Sequence, residues 1–70
     1  MTARKIIGAN IKSLRIKRKW SQEKLAIRSK VSHNFMSQLE RGEVNVSIDL
    51  LERVAKNLEV DIHILLLKKE

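Results

Sequence analysis

Residues Ser21–Gly42, SQEKLAIRSKVSHNFMSQLERG, decide the fold. Serine is a favoured N-cap, because its hydroxyl accepts from the unpaired N–H groups of a first helical turn. Ser21 therefore opens one helix, with Glu23 near its positive end and Leu25 and Ala26 facing inward. That helix ends near Ser29. Ser29-Lys30-Val31 forms the turn, Ser32 caps the next helix, and Gly42 closes it as a left-handed cap. Successive helical residues rotate by about 100°. With His33 at zero, Met36 and Leu39 fall near ~300° and ~240°, whereas Asn34, Ser37, Gln38 and Arg41 fall between about 40° and 140°. The second helix of the pair is thus narrow and apolar on one side and broad and polar on the other. A face of His33, Asn34, Ser37 and Gln38 is poor core material and suits the base edges of a major groove.

The flanking chain supplies the rest of a small helical protein. A first helix is expected over Arg4–Arg18, with Ile7, Ile11 and Leu14 as its inner stripe. Gly8 lies inside it and leaves room for another helix to approach. Trp20 follows as a lid on the core. Ser47 caps a fourth helix, Ile48–Leu58, with Leu51, Val54, Ala55 and Leu58 inward. Asp61 caps a fifth, Ile62–Leu67. Val60, Ile62, Leu65 and Leu66 are expected to close the core, leaving Ile64 and Leu67 outside. The reading is all-α: a compact five-helix domain over residues 1–70, without strands, repeats or proline.

Composition narrows the function. The formal net charge is +7, and Met1–Trp20 holds seven Lys/Arg and no acid. Such a field attracts phosphate. Glu43–Leu67 runs the other way, with five acids against two bases. There is no cysteine, and the two histidines, His33 and His63, lack ligand spacing, so no metal or other cofactor is expected. No apolar stretch is long enough to span a bilayer and no signal peptide is visible, so a cytoplasmic location is expected. No nucleophile–base pair, carboxylate pair or phosphate-cradling glycine loop marks an enzyme, and no small-molecule ligand is apparent.

The succession SQEKLA, V-S, QLERG, N-V-S and LERVAKNLEV resembles the phage-repressor and Cro type of helix-turn-helix domain, the xenobiotic-response-element family. The resemblance runs from about Ile6 to Leu67. The stretch FMSQLERGEVNVS is also similar to restriction–modification controller proteins. The resemblance implies a lambda-repressor-like fold and a sequence-specific transcriptional regulator, binding double-stranded DNA at a pseudo-palindromic operator as a homodimer. It places Gln22 on a phosphate at the start of the second helix, and Ser32, His33, Asn34, Phe35, Ser37 and Gln38 along the recognition helix. Asn34 and Gln38 suit adenine, His33 a guanine or phosphate, and Phe35 either a thymine methyl or the core. Arg41, Asn45 and Ser47 would flank the DNA backbone. Arg15 and Glu40 would form a structural ion pair. Ile64 and Leu67, left outside the core as an apolar patch, point independently to a dimer interface. Lys30 and Glu59 stand where the family commonly has glycine. Two other readings remain open at this stage: a DNA-binding antitoxin of a toxin–antitoxin pair, and a protein-interaction module of the same fold.

Overall fold

A computed structural model describes residues 2–68. Five helices follow one another: α1 Ala3–Lys17, α2 Gln22–Arg28, α3 His33–Arg41, α4 Ile48–Asn57 and α5 Ile62–Leu65. Serine or threonine hydroxyls open four of them. Thr2, Ser21, Ser32 and Ser47 accept from the backbone N–H three residues on, in Lys5, Lys24, Phe35 and Leu50.

The helix exits are equally uniform. Lys19, Lys30, Gly42 and Glu59 are left-handed, with φ between 59° and 73°. After each, the next N–H reaches back to a carbonyl five residues earlier: Trp20 to Arg15, Val31 to Ala26, Glu43 to Gln38 and Val60 to Ala55. This six-to-one bond is the Schellman closure, which satisfies carbonyls that the helix leaves orphaned. In three of the four cases the closing residue is an apolar side chain packed against the core. Only Gly42 has the residue type that adopts this conformation without strain.

The core is built from Ile7, Ile11, Leu25, Ala26, Met36, Leu39, Leu51, Val54, Ala55, Leu58 and Leu65, all buried. Leu14, Trp20, Phe35, Val60 and Ile62 pack partly buried around it. The α1 and α3 backbones meet at Gly8. A Cβ there would lie 2.5 Å from the carbonyl oxygens of Leu39 and Glu40, so no larger residue fits without separating the helices.

The C-terminal end differs from expectation in three ways. Helix α5 stops at Leu65 rather than Leu67. Leu66 is 51% exposed and does not close the core, while Ile64 is half-buried rather than left outside. Asp61 occupies the N-cap position, but its carboxylate accepts no capping hydrogen bond from the backbone. The carbonyls left unpaired at this end are taken from a distance: the buried Asn10 amide donates to those of Leu65 (2.9 Å) and Leu67 (2.7 Å).

Candidate nucleic-acid interface

The polar face of α3 is turned to solvent. Ser32, His33, Asn34 and Arg41 are exposed, Ser37 and Gln38 are half-buried, and Met36 and Leu39 are buried on the opposite side. Phe35 lies between the faces, half-buried against the core. Asn45 and Ser47 are exposed in and after the loop that leaves α3. The Ser47 hydroxyl is engaged as the cap of α4.

A charged chain fixes the base of this helix. Arg15 of α1 donates in bidentate fashion to Glu40 of α3, Nε to Oε2 at 2.7 Å and Nη2 to Oε1 at 3.0 Å. The two side chains are 12% and 3% exposed. The remaining Arg15 nitrogen, Nη1, donates to the Trp20 carbonyl at 2.9 Å, tying in the α1–α2 connection. A charge pair this deep must have its hydrogen-bonding capacity filled to be tolerated, and here three elements fill it. Gln22, the first residue of α2, adds a donor: its Nε2 lies 3.1 Å from Glu40 Oε1, and its Oε1 lies 3.0 Å from Nε2 of His33. Gln22 is thus held within the protein, between α3's first and eighth residues, rather than extended toward solvent.

Two residues assigned to the DNA backbone by resemblance are also engaged. Arg41 donates to the Ser37 hydroxyl and forms an ion pair with Glu43 at 3.0 Å. The hydrogen bond from Arg41 holds the Glu43 carboxyl below its ordinary range, with Lys5 adding to the effect, and the same bond raises the Arg41 guanidinium. Both side chains are 53% exposed, so solvent screens the pair and it adds little to stability. Asn45 accepts from Arg4.

Other features escaped the sequence reading. Asn10 is the buried polar group that anchors the C-terminal segment. Its signal was present, since it falls beside Ile7, Ile11 and Leu14 on the inner stripe of α1. Trp20 carries three cations within 5.2 Å of its ring, from Arg18, Lys24 and Arg28, so the lid is also a cation–π platform. Arg53 donates to the carbonyl of buried Ser29 and so anchors α4 to the end of α2.

Helices α1 and α5 border an open groove of about 310 Å³ lined by Asn10, Ser13, Leu14, Ile64 and Leu67 and rimmed by Lys17 and Lys68. Leu66 and Leu67 are 51% and 54% exposed beside it in the chain. No group of three or more metal-ligating side chains occurs among the described residues, and no described helix is long and apolar enough to cross a membrane.

Comparison with known proteins places this geometry. The helix-turn-helix family model matches residues 11–65. Control protein C.BamHI of Bacillus amyloliquefaciens is 38% identical over 58 residues, covering 81% of this chain and 72% of that protein. The transcriptional regulator SinR of Bacillus licheniformis is 36% identical over 66 residues, covering 93% of this chain but only 60% of SinR. Among solved structures, the restriction-modification controller protein C.AhdI of Aeromonas hydrophila superimposes with a TM-score of 0.83 at 30% identity, over 87% of this chain and 92% of that one.

Proposed function

The chain belongs to the helix-turn-helix family, in the branch that includes controller proteins and phage-type repressors, and from that premise we propose how it acts as a DNA-binding transcriptional regulator. The third helix lies in the major groove and reads base edges through His33, Asn34 and Gln38. The observation that carries this reading is the solvent-facing amide-rich surface of α3, set directly opposite Met36 and Leu39 in the core. Amide side chains match the N6 and N7 edge of adenine. Helix α2 crosses the DNA backbone with its N-terminus toward a phosphate. Ser32, Ser37, Arg41, Asn45 and Ser47, exposed or half-buried, serve as backbone contacts, and Phe35 serves as an apolar edge.

The controller-type reading draws support from the match to C.AhdI, which takes in nearly all of that controller chain. Such a regulator works by binding rather than turnover. The groove between α1 and α5, lined in part by Ile64 and Leu67, with Leu66 exposed beside Leu67 in the chain, supports a homodimer. An exposed apolar patch of this kind marks an interface. Two copies would address half-sites about one DNA turn, ~34 Å, apart.

Selection of bound sequences from a random DNA pool tests the reading. A pseudo-palindromic sequence is expected, and joint replacement of His33, Asn34 and Gln38 by alanine should erase the preference while leaving salt-sensitive general binding. Undiminished discrimination by the triple variant would remove the third helix from the interface. Sedimentation of Ile64→Asp should show the monomer mass; an unchanged dimer mass argues against the α5 interface.

A further inference from the structure

The hydrogen bonds that end at His33 have a fixed direction, set by the buried carboxylate. An ionised carboxylate only accepts, and Glu40 is ion-paired to Arg15 at 2.7 Å. The Gln22 amide must therefore turn its NH₂ toward Glu40, where Nε2 lies 3.1 Å from Oε1. Its carbonyl Oε1 is then the atom facing His33, at 3.0 Å from Nε2 of the ring. A carbonyl oxygen accepts only, so Nε2 of His33 must carry the proton. In a neutral imidazole one nitrogen is the donor and the other the acceptor. With Nε2 protonated, Nδ1 is an acceptor, and His33 is exposed at the first position of the recognition helix.

We infer that Arg15, Glu40 and Gln22 act as a polarity lock on His33, so that the neutral ring offers Nδ1 to DNA as a hydrogen-bond acceptor and selects an exocyclic amino group. The inference rests on α3 lying in the major groove. Within that groove, the donors that meet an acceptor are adenine N6 and cytosine N4, whereas guanine N7 and O6 and thymine O4 are themselves acceptors. His33 thus reads an amino group and rejects the acceptor edge of guanine, the reverse of what a protonated histidine or an arginine at this position would do. Gln22 and Glu40 are positioning residues in this scheme: neither touches the base, and both set the sense in which it is read.

The first test needs no DNA. Imidazole ¹⁵N–¹H correlation spectra of the protein at about pH 8.5, where an ordinary imidazole is neutral, should show the His33 proton on Nε2 and slow to exchange with water. In Gln22→Leu that proton should exchange fast and the tautomers should mix. A proton on Nδ1 in the unsubstituted protein overturns the proposal, as does an unchanged Nε2 signal in Gln22→Leu. The second test uses the selected DNA at the same pH with single-atom analogues, purine for adenine, 2-pyrimidinone for cytosine, and 7-deazaguanine for guanine. Removing one amino group should weaken binding about fivefold, the worth of one ordinary hydrogen bond, and the loss should vanish in His33→Ala. Coupling of His33 to the 7-deaza substitution instead overturns the proposal. A chain that enriches no sequence at all removes the major-groove reading, and this proposal with it, whatever the tautomer; a selected sequence with no amino coupling removes this proposal alone.

Discussion

Helix α1 makes two seams, and they are built differently. Against α3 it presents Gly8 to the carbonyls of Leu39 and Glu40, and Arg15 to the Glu40 carboxylate. Backbone touches backbone, and the charges are filled from three elements. Against α5 it presents Asn10, whose amide holds two carbonyls, beside an open groove of about 310 Å³. The first seam is over-determined, since steric fit and hydrogen bonding both specify one position for α3. The second has the buried Leu65 and a single polar anchor, Asn10, and leaves Leu66 and Leu67 about half exposed. A helix that must present side chains to fixed base edges needs the first kind of support. A segment that completes its packing on a second copy, as proposed above for the α5 end, would be served by the second kind.

The largest effect is expected at the centre of the tight seam. Glu40→Ala strands the half-buried Arg15 guanidinium and the Gln22 amide, and should destabilise the protein by about 3–5 kcal/mol. That approaches the total stability of a domain this size, on the order of 5 kcal/mol. Urea denaturation measures the loss. Arg15→Met combined with Glu40→Leu should recover much of it, because replacing a buried pair by apolar groups of similar volume is often neutral. Failure of the double variant to recover would mean that the network's geometry, rather than its charge balance, holds the seam.

Gly8→Ala probes the same seam sterically. The added methyl meets backbone rather than a flexible side chain, so the helices themselves must part. A loss of about 3 kcal/mol is expected, with chemical-shift changes concentrated in α1 and α3. A small loss would show that the crossing is looser than a 2.5 Å approach implies.

Asn10→Ala probes the weak seam. It removes two donors to carbonyls, one of them on buried Leu65, and should cost about 2 kcal/mol. The homodimer proposed above should weaken along with the fold, because the segment bearing Leu66 and Leu67 is released. Sedimentation across a concentration series reads this. If stability falls while self-association is untouched, the α5 end is anchored for the monomer's sake alone.

The two seams also differ in how far the sequence revealed them. Caps made the frame legible: Ser21, Ser32 and Ser47 are local signals, and each is followed by apolar residues at helical spacing. Gly8 stood out because a glycine inside a helix has a cost that close approach can repay in packing. The polar face of α3 followed from angle alone, and Met36 and Leu39 are buried as the rotation requires. The end of α5 was illegible for the opposite reason. Ile62–Leu67 is apolar almost throughout, so periodicity gave no stop, and the partner that takes its last carbonyls lies 55 and 57 residues away. The fates of Gln22 and Arg41 were hidden in the same manner. Both residues matched positions that imply a phosphate contact; that each also bonds within the fold, Gln22 to Glu40 and His33 and Arg41 to Ser37 and Glu43, emerges only in three dimensions.

The smallest effect concerns the helix exits, and it separates the two regions again. Lys30 and Glu59 are left-handed at φ 60° and 59°, a conformation that strains a residue with a Cβ by roughly 1–2 kcal/mol. Glycine removes that strain but gives back about 0.5–1 kcal/mol through the greater freedom of the unfolded chain. Lys30 makes no ion pair among the described residues and is exposed in the turn between α2 and α3. Lys30→Gly should therefore stabilise by about 0.5–1 kcal/mol, raising Tm by roughly 2–8 °C for a domain of this length. Glu59 stands before α5 and pairs with Arg18 at 3.3 Å, largely exposed. Losing that pair offsets part of the gain, by up to about 1 kcal/mol. Glu59→Gly should thus stabilise less than Lys30→Gly, and the gap should close at high salt, where the Arg18 pair is screened. Equal Tm shifts at low salt would show that the ion pair contributes nothing to the seam below α5; a fall in Tm for Lys30→Gly would show that its side chain, not its backbone, supports the turn into the recognition helix.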